Sequence, residues 1–515
     1  MSHVWGTGPG TWLERPRPLG WPDMLPRVQA SRAPVAWRLV LPVAAAELAL
    51  LVALGNRYGY HRDELYFIRA AKHPAFGYDD QPPLTPLLGW VSSTLFGDTP
   101  RGLRVVSALA AAVSVLLVAL IARELGARAR GQLVAAGTMA ATGGVMAIGH
   151  LLSTATFDVL GWLVVLWLVT RLLGGADERE WLLVGLAAGI GLENKHVILL
   201  LLASLALGFA LSGRLGEIGS RWLWTGAALA FAIWLPNLVW QATHGWPQLE
   251  LAGKIADEDP VANRVALVPF QVLLIGPPLA PIAVAGLVWL LRNQRFRALG
   301  RAFLALLALC LVIGAKPYYA SAFAVALLGA GAVPVERWLE RSRRRGALLA
   351  AAAALSAAVA AFLVLPLVPA SDVHATPIPA VNEDAIESIG WPRFVRTVSN
   401  VWHTLPRRAV IFTGNYGEAS AIDRFGPDLG LPRAYSGHNS FARWGIPPAS
   451  AGPVVVVGID WKPYLDARFS GCRRAARIDN GVDLDNEEQG GPVWVCRGPR
   501  RPWAELWPGL RHLSP

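Results

Sequence analysis

Tyr60-His61-Arg62-Asp63-Glu64-Leu65-Tyr66 places two carboxylates, an imidazole and a guanidinium in one short stretch, about eight residues beyond the first long apolar run. A carboxylate at the edge of a hydrocarbon layer can take the proton of a hydroxyl while that oxygen attacks carbon, which is general-base chemistry. Asp63 is the candidate base, with Glu64 beside it to orient it or to bind. Asp79-Asp80-Gln81-Pro82-Pro83 adds two more carboxylates. Arg62, Arg69, Lys195 and Lys316 are cations at places where a phosphate could be met. A divalent metal could be held through Asp63, Glu64, Asp79 or Asp80, although no ligand spacing demands one.

Each of these residues also has a purely structural reading. Asp63, just before an apolar stretch, suits a helix N-cap, and Glu64 suits the first turn of the same helix. Asp79 and Asp80 suit a turn that leads into a proline-initiated helix. Lys195 and Lys316 are placed to snorkel from the ends of apolar segments, and Arg62 and Arg69 to meet anionic headgroups. His150 and Asp158, near span ends, read first as satisfied polar groups, and Glu47 sits within the first apolar run with no assignable role.

The elements that must position these groups are membrane helices. The chain has 515 residues, 54% hydrophobic and only 16% charged, with a mean hydropathy of +0.39. Soluble domains carry roughly 25% charged residues. The net charge of +11 comes from Lys and Arg scattered between apolar runs, which suits topology signals better than a phosphate-binding face and sets nucleic acid aside. Eleven runs read as spans: 35–55, 103–122, 132–150, 156–173, 181–194, 196–212, 222–240, 266–291, 302–315, 318–334 and 347–369. Runs 181–194 and 302–315 are short.

Residues 1–34 read as a cytoplasmic tail before an uncleaved first span, and 35–369 as the transmembrane part. With that orientation 21 Lys and Arg fall inside and ten outside, so the positive-inside rule puts the loop 56–102 and everything after about residue 370 on the outer face. Within that loop Leu84 to Trp90, started by Pro82 and Pro83, reads as an interfacial helix. The segment 241–264 reads as a second sizeable outer loop. Residues 370–515 read as an extracytoplasmic α/β domain, with strands at Val410–Thr413, Pro453–Ile459 and Val493–Cys496 and a helix around Ala385 to Val401. Cys310 lies in an apolar run, whereas Cys472 and Cys496 are both in the outer part, where a disulfide can form.

Taken in order, the outer-loop Asp63-Glu64, Asp79-Asp80-Gln81-Pro82-Pro83-Leu84, the string of spans and Lys316-Pro317-Tyr318-Tyr319 resemble the bacterial branch of the dolichyl-phosphate-mannose protein mannosyltransferases. These are membrane glycosyltransferases of the C-type fold, which also includes the lipid A aminoarabinose transferases. Asn415-Tyr416-Gly417-Glu418 and Ser436-Gly437-His438-Asn439-Ser440 are similar to the tail domain of bacterial members, while Glu193 and His196 around Lys195 depart from the family pattern. The resemblance implies transfer of a sugar from a polyprenyl-phosphate donor to a hydroxyl acceptor on protein, glycolipid or cell-wall glycan. It implies Asp63 as base, and Lys316, Tyr318 and Tyr319 on the substrate, with Lys316 a better match to the family than Lys195, the other lysine placed to meet the phosphate. A one-step displacement with a single base inverts the anomeric carbon.

A transporter or flippase of lipid-linked sugars is the competing class, since it too needs many spans and buried charges. Such proteins often show pseudo-symmetric halves with broken helices near the midplane. Here the charges gather in one asymmetric loop and a globular tail follows.

Overall fold

The computed structural model describes residues 32–514, together with His3, so the tail 1–34 lies almost wholly outside the described residues. The helical part comprises α1 (Trp37–Leu54), α2 (Arg62–Ala71), α3 (Leu84–Phe96), α4 (Pro100–Glu124), α5 (Ala129–Ala140), α6 (Gly143–His150), α7 (Thr154–Leu173) and α8 (Trp181–Leu192). It continues with α9 (Ile198–Leu211), α10 (Arg221–Thr243), α11 (Pro247–Asp257), α12 (Pro260–Ile275), α13 (Ala280–Arg292), α14 (Arg297–Ile313), α15 (Ser321–Leu339) and α16 (Arg343–Val364).

Every one of the eleven apolar runs contains a helix, but the runs are not eleven straight spans. Among the described residues six helices are long and apolar enough to cross a membrane, or up to eight if each bent pair is one span. Run 132–150 bends by 60° between α5 and α6, where Thr142 caps the second helix. Run 266–291 breaks by 111° between α12 and α13, because Gly276 takes φ 92° and Pro277 and Pro278 cannot continue a helix. α8, α9 and α14 are shorter than a straight crossing needs. The multi-pass membrane character stands, with α4 and α15 in the middle and outward faces such as Leu355 and Val359 of α16 left for lipid.

Ion pairs fasten both ends of α4. At its C-terminus the buried Glu124 accepts from Arg123 at 2.7 Å and pairs with Arg32 at 2.9 Å. Near its N-terminus Arg104, also buried, reaches back to α2. The predicted outer loop 241–264 is not irregular: it holds α11, whose Leu251, Ala252 and Ile255 share one face while Glu250 and Lys254 share the other.

The C-terminal part contains strands β1 (Val410–Thr413), β2 (Ala434–Ser436), β3 (Val454–Val457), β4 (Phe469–Ser470), β5 (Arg473–Arg477), β6 (Pro492–Cys496) and β7 (Gly498–Pro499). Five form one sheet in the order β2-β1-β3-β6-β5, with β1 parallel to β2 and β3 and β6 antiparallel to its neighbours. Alternation divides the side chains. Ile411, Val455 and Val457 face the helix Trp391–Trp402, whereas Val410, Val454 and Val456 face Phe469, Trp503 and Trp507. The helix predicted around Ala385 to Val401 is two, a short Glu383–Ile386 and Trp391–Trp402, parted at Gly390 with φ 104°. Cys472 and Cys496 are joined, and Cys310 is buried in α14. The first sheet face shares its core with Leu65, Tyr66 and Phe67 of α2, so the sheet unit and the loop after α1 pack as one body.

Candidate functional site

Helix α2 begins differently from the sequence reading. Its N-cap is His61, whose Nδ1 accepts the Asp63 N–H at 3.2 Å, while Glu64 Oε2 accepts the His61 N–H at 2.9 Å. Asp63 thus lies inside the first turn and its carboxylate is not occupied with capping. Oδ1 of Asp63 accepts the Tyr416 hydroxyl at 2.7 Å. No hydrogen bond to Oδ2 is found among the described residues.

Glu64 has the opposite fate. It has no exposed surface and accepts from Arg104 Nε at 2.8 Å, Arg104 Nη2 at 2.6 Å and the Leu152 N–H at 2.9 Å. These donors, with the cap, tie α2, α4 and the link between α6 and α7 together. Such a charge is kept in a dry interior only because it is paired and bonded.

A cavity of about 280 Å³ brings together Asp63, Asp80, Lys195, Tyr318 and Tyr319, with Leu251, Ala252 and Ile255 of α11 as its apolar wall. Asp80 Oδ1 accepts the Tyr66 hydroxyl at 2.7 Å. Burial pushes the Asp80 carboxyl up to about 7; the Tyr66 hydroxyl opposes that, and the charges of Asp79 and Asp63 add to it. Lys195 donates to the Tyr318 hydroxyl at 3.4 Å and lies 4.8 Å from the Tyr318 ring centre and 5.3 Å from that of Tyr319. The turn carrying Lys195 is held by its neighbour: buried Asn194 accepts from Thr85 at 2.7 Å and donates to the Thr154 carbonyl at 2.8 Å.

The other named residues lie elsewhere. Asp79 is buried against Arg443 at 2.6 Å and lines a neighbouring cavity of about 390 Å³ with His244, Lys254 and Arg511. Arg62 pairs with Glu387 at 3.2 Å and with Glu487, and Arg69 with Asp423 at 3.1 Å. Lys316 pairs with Glu258 at 2.6 Å, so of the two lysines it is Lys195 that lines the cavity. The four carboxylates offered as a metal set do not gather. Two line the cavity and two are spent on arginines, and among the described residues no three His, Cys, Asp or Glu side chains form a cation site.

Residues 80–240 match the family model for dolichyl-phosphate-mannose-protein mannosyltransferase. That match spans about a third of the chain. The chain has the fold of ArnT from Cupriavidus metallidurans bound to undecaprenyl phosphate, with a TM-score of 0.62 and 14% identity over 90% of this chain and 98% of that one. The apo state of the same protein gives 0.58, also at 14% identity and with the same coverage. No curated protein matches this sequence.

Sequence reasoning missed Tyr66, Tyr416, Asn194 and the α11 wall as parts of the site. Tyr66 stood in the opening motif and Tyr416 in the quoted tail motif, but their partners are 14 and 353 residues away. No periodicity reports a contact across such distances.

Proposed function

We propose that this protein is a glycosyltransferase that moves a sugar from a polyprenyl-phosphate donor to a hydroxyl acceptor at the outer face of the membrane, with inversion. The observation that carries the reading is the single cavity shared by the Asp63 carboxylate and the Lys195 ammonium beside an apolar wall. Undecaprenyl phosphate, the ligand bound by ArnT, has the matching chemistry: an anionic head and an apolar chain.

Asp63 takes the acceptor hydroxyl proton as the acceptor oxygen attacks the anomeric carbon. The bond from that carbon to the phosphate oxygen breaks, and the lipid phosphate leaves with the electron pair. Lys195, held over Tyr318 and Tyr319, stabilises the charge developing on that phosphate. Asp80, held by Tyr66, offers a second carboxyl to sugar or acceptor hydroxyls. Glu64 serves through Arg104 to fix the turn on which Asp63 sits. On this reading residues 35–369 form the transfer unit and 370–515 an extracytoplasmic unit packed on the loop 56–102.

Purified protein given radiolabelled polyprenyl-phosphate sugar and envelope glycan, glycolipid or protein fractions is expected to move label into one fraction, and to release polyprenyl phosphate in equal amount. Label carried across a vesicle without bond cleavage would overturn the reading in favour of a transporter.

A further inference from the structure

The side chain that reaches Asp63 comes from neither the loop that carries it nor the helical bundle. Tyr416 is the first residue of the helix Tyr416–Phe425, which Asn415 and Glu418 begin with a reciprocal capping box. That cap fixes the position of the helix start. The start of this helix and the start of α2 approach closely at Gly417, where a Cβ would come within 3.0 Å of the Arg62 Cβ. Glycine at 417 lets the two helix ends meet at this distance without displacing the Arg62 side chain.

The Tyr416 ring is clamped on several sides. It packs against Tyr66 at 4.8 Å between ring centres and His438 at 4.9 Å, the Arg62 guanidinium lies 5.3 Å from its centre, and its N–H donates to His438 Nδ1 at 3.4 Å. With the ring held, the hydroxyl has one destination, Asp63 Oδ1 at 2.7 Å. Burial, reinforced by the Asp63 charge, holds the phenol proton far above the ordinary tyrosine range, so Tyr416 remains a donor. One carboxylate oxygen is thereby fixed, and Oδ2, which has no hydrogen-bond partner among the described residues, is left for the acceptor hydroxyl.

We infer that Tyr416 is a positioning residue for sugar transfer: its hydroxyl sets the orientation of the Asp63 carboxylate, which makes the site in the helical part complete only when the C-terminal sheet unit is docked on it. This rests on the reading of Asp63 as general base. A hydrogen bond to an ionised carboxylate stabilises its charged form, and its removal makes the base easier to protonate. The charged or titratable groups facing the pair are His61 at the N-cap of α2, Arg62 and Tyr66 on α2, and Asp80 on the loop that follows. Asp384 faces it from the segment after α16, Lys195 and Tyr318 from across the cavity, and His438 from beside the tyrosine ring. All of them are retained in a Tyr416→Phe variant, so a change on that substitution reports the hydroxyl.

Tyr416→Phe in the full-length reconstituted protein is expected to lower kcat by about tenfold or more, the scale of one hydrogen bond to a charged group. The donor KM should stay within about twofold, the signature of an interaction that matters for the step and not for binding. The acidic limb of the pH–rate profile should move to higher pH. Placing 3-fluorotyrosine at 416, a stronger donor of the same shape, should move that limb to lower pH, and it serves as the test should the phenylalanine variant not fold. Adding Tyr416→Phe to Asp63→Asn should cost nothing further. An unmoved limb in either variant, or a further loss in the double variant, overturns the inference. Full activity of Asp63→Asn would instead remove the base reading on which it rests, whereas an inactive Asp63→Asn with a normal Tyr416→Phe removes the inference alone.

Discussion

Two adjacent carboxylates, Asp63 and Glu64, have entirely different surroundings. Glu64 is a structural charge: Arg104, the Leu152 N–H and the His61 N–H consume its oxygens. Glu64→Ala leaves Arg104 as an uncompensated buried charge, which costs about 3–5 kcal/mol. Thermal unfolding in detergent should therefore show a strongly destabilised protein, and an unchanged melting temperature would deny Glu64 that role. Asp80 gives a pH signature. Its carboxyl is raised from the ordinary 3.8 to about 7, so between those values the folded protein binds a proton that the unfolded chain has released. Its contribution to stability accordingly falls as pH rises through that window. Asp80→Asn should remove this part of the slope when the melting temperature is measured against pH, and parallel curves for the two proteins would contradict it. The carboxylate pair was legible in the sequence, but the division of labour was not. It depends on Arg104 at 40 residues' separation and Tyr416 at 353.

At the scale of elements, hydrophobic pattern located the helices and the central strands, since Val454–Val457 and Val410–Thr413 are short apolar runs between turn residues. The edge strand Arg473–Arg477 was not visible, because an exposed edge carries no apolar signal and only its pairing with Pro492–Cys496 defines it. Helix α11 was hidden for a similar reason: an eleven-residue helix with apolar residues on one face is short of any span criterion and reads as loop. The α12–α13 break was written in Gly276-Pro277-Pro278 but lost inside a longer apolar average. The Cys472–Cys496 bond ties the chain just before β5 to the end of β6 across a separation of 24 residues. A loop of that size implies about 3 kcal/mol of stabilisation. Replacing both cysteines with serine should lower the stability of the sheet unit by about that amount and make segment 473–491 the first site of limited proteolysis. An unaltered cleavage pattern would show that packing alone holds the strand.

For the whole molecule, sequence composition was enough to recognise a multi-pass membrane protein, and the ordered motifs pointed to the mannosyltransferase family whose model matches residues 80–240. What remained unreadable was which of the distant charges meet. The Lys316-Pro317-Tyr318-Tyr319 motif favoured Lys316 over Lys195, yet Lys316 is paired with Glu258 and it is Lys195 that lines the cavity of Asp63. The central claim is that Asp63 is the base of a lipid-linked sugar transfer. Asn in its place keeps the size of the side chain, and the α2 cap belongs to His61. The decisive measurement is the initial rate of label transfer from a polyprenyl-phosphate sugar by wild type and Asp63→Asn, reconstituted side by side and matched for folded protein. The account predicts a loss of about 10²–10⁴-fold in kcat, the range for a removed general base. A folded Asp63→Asn enzyme that transfers sugar at the wild-type rate would contradict it.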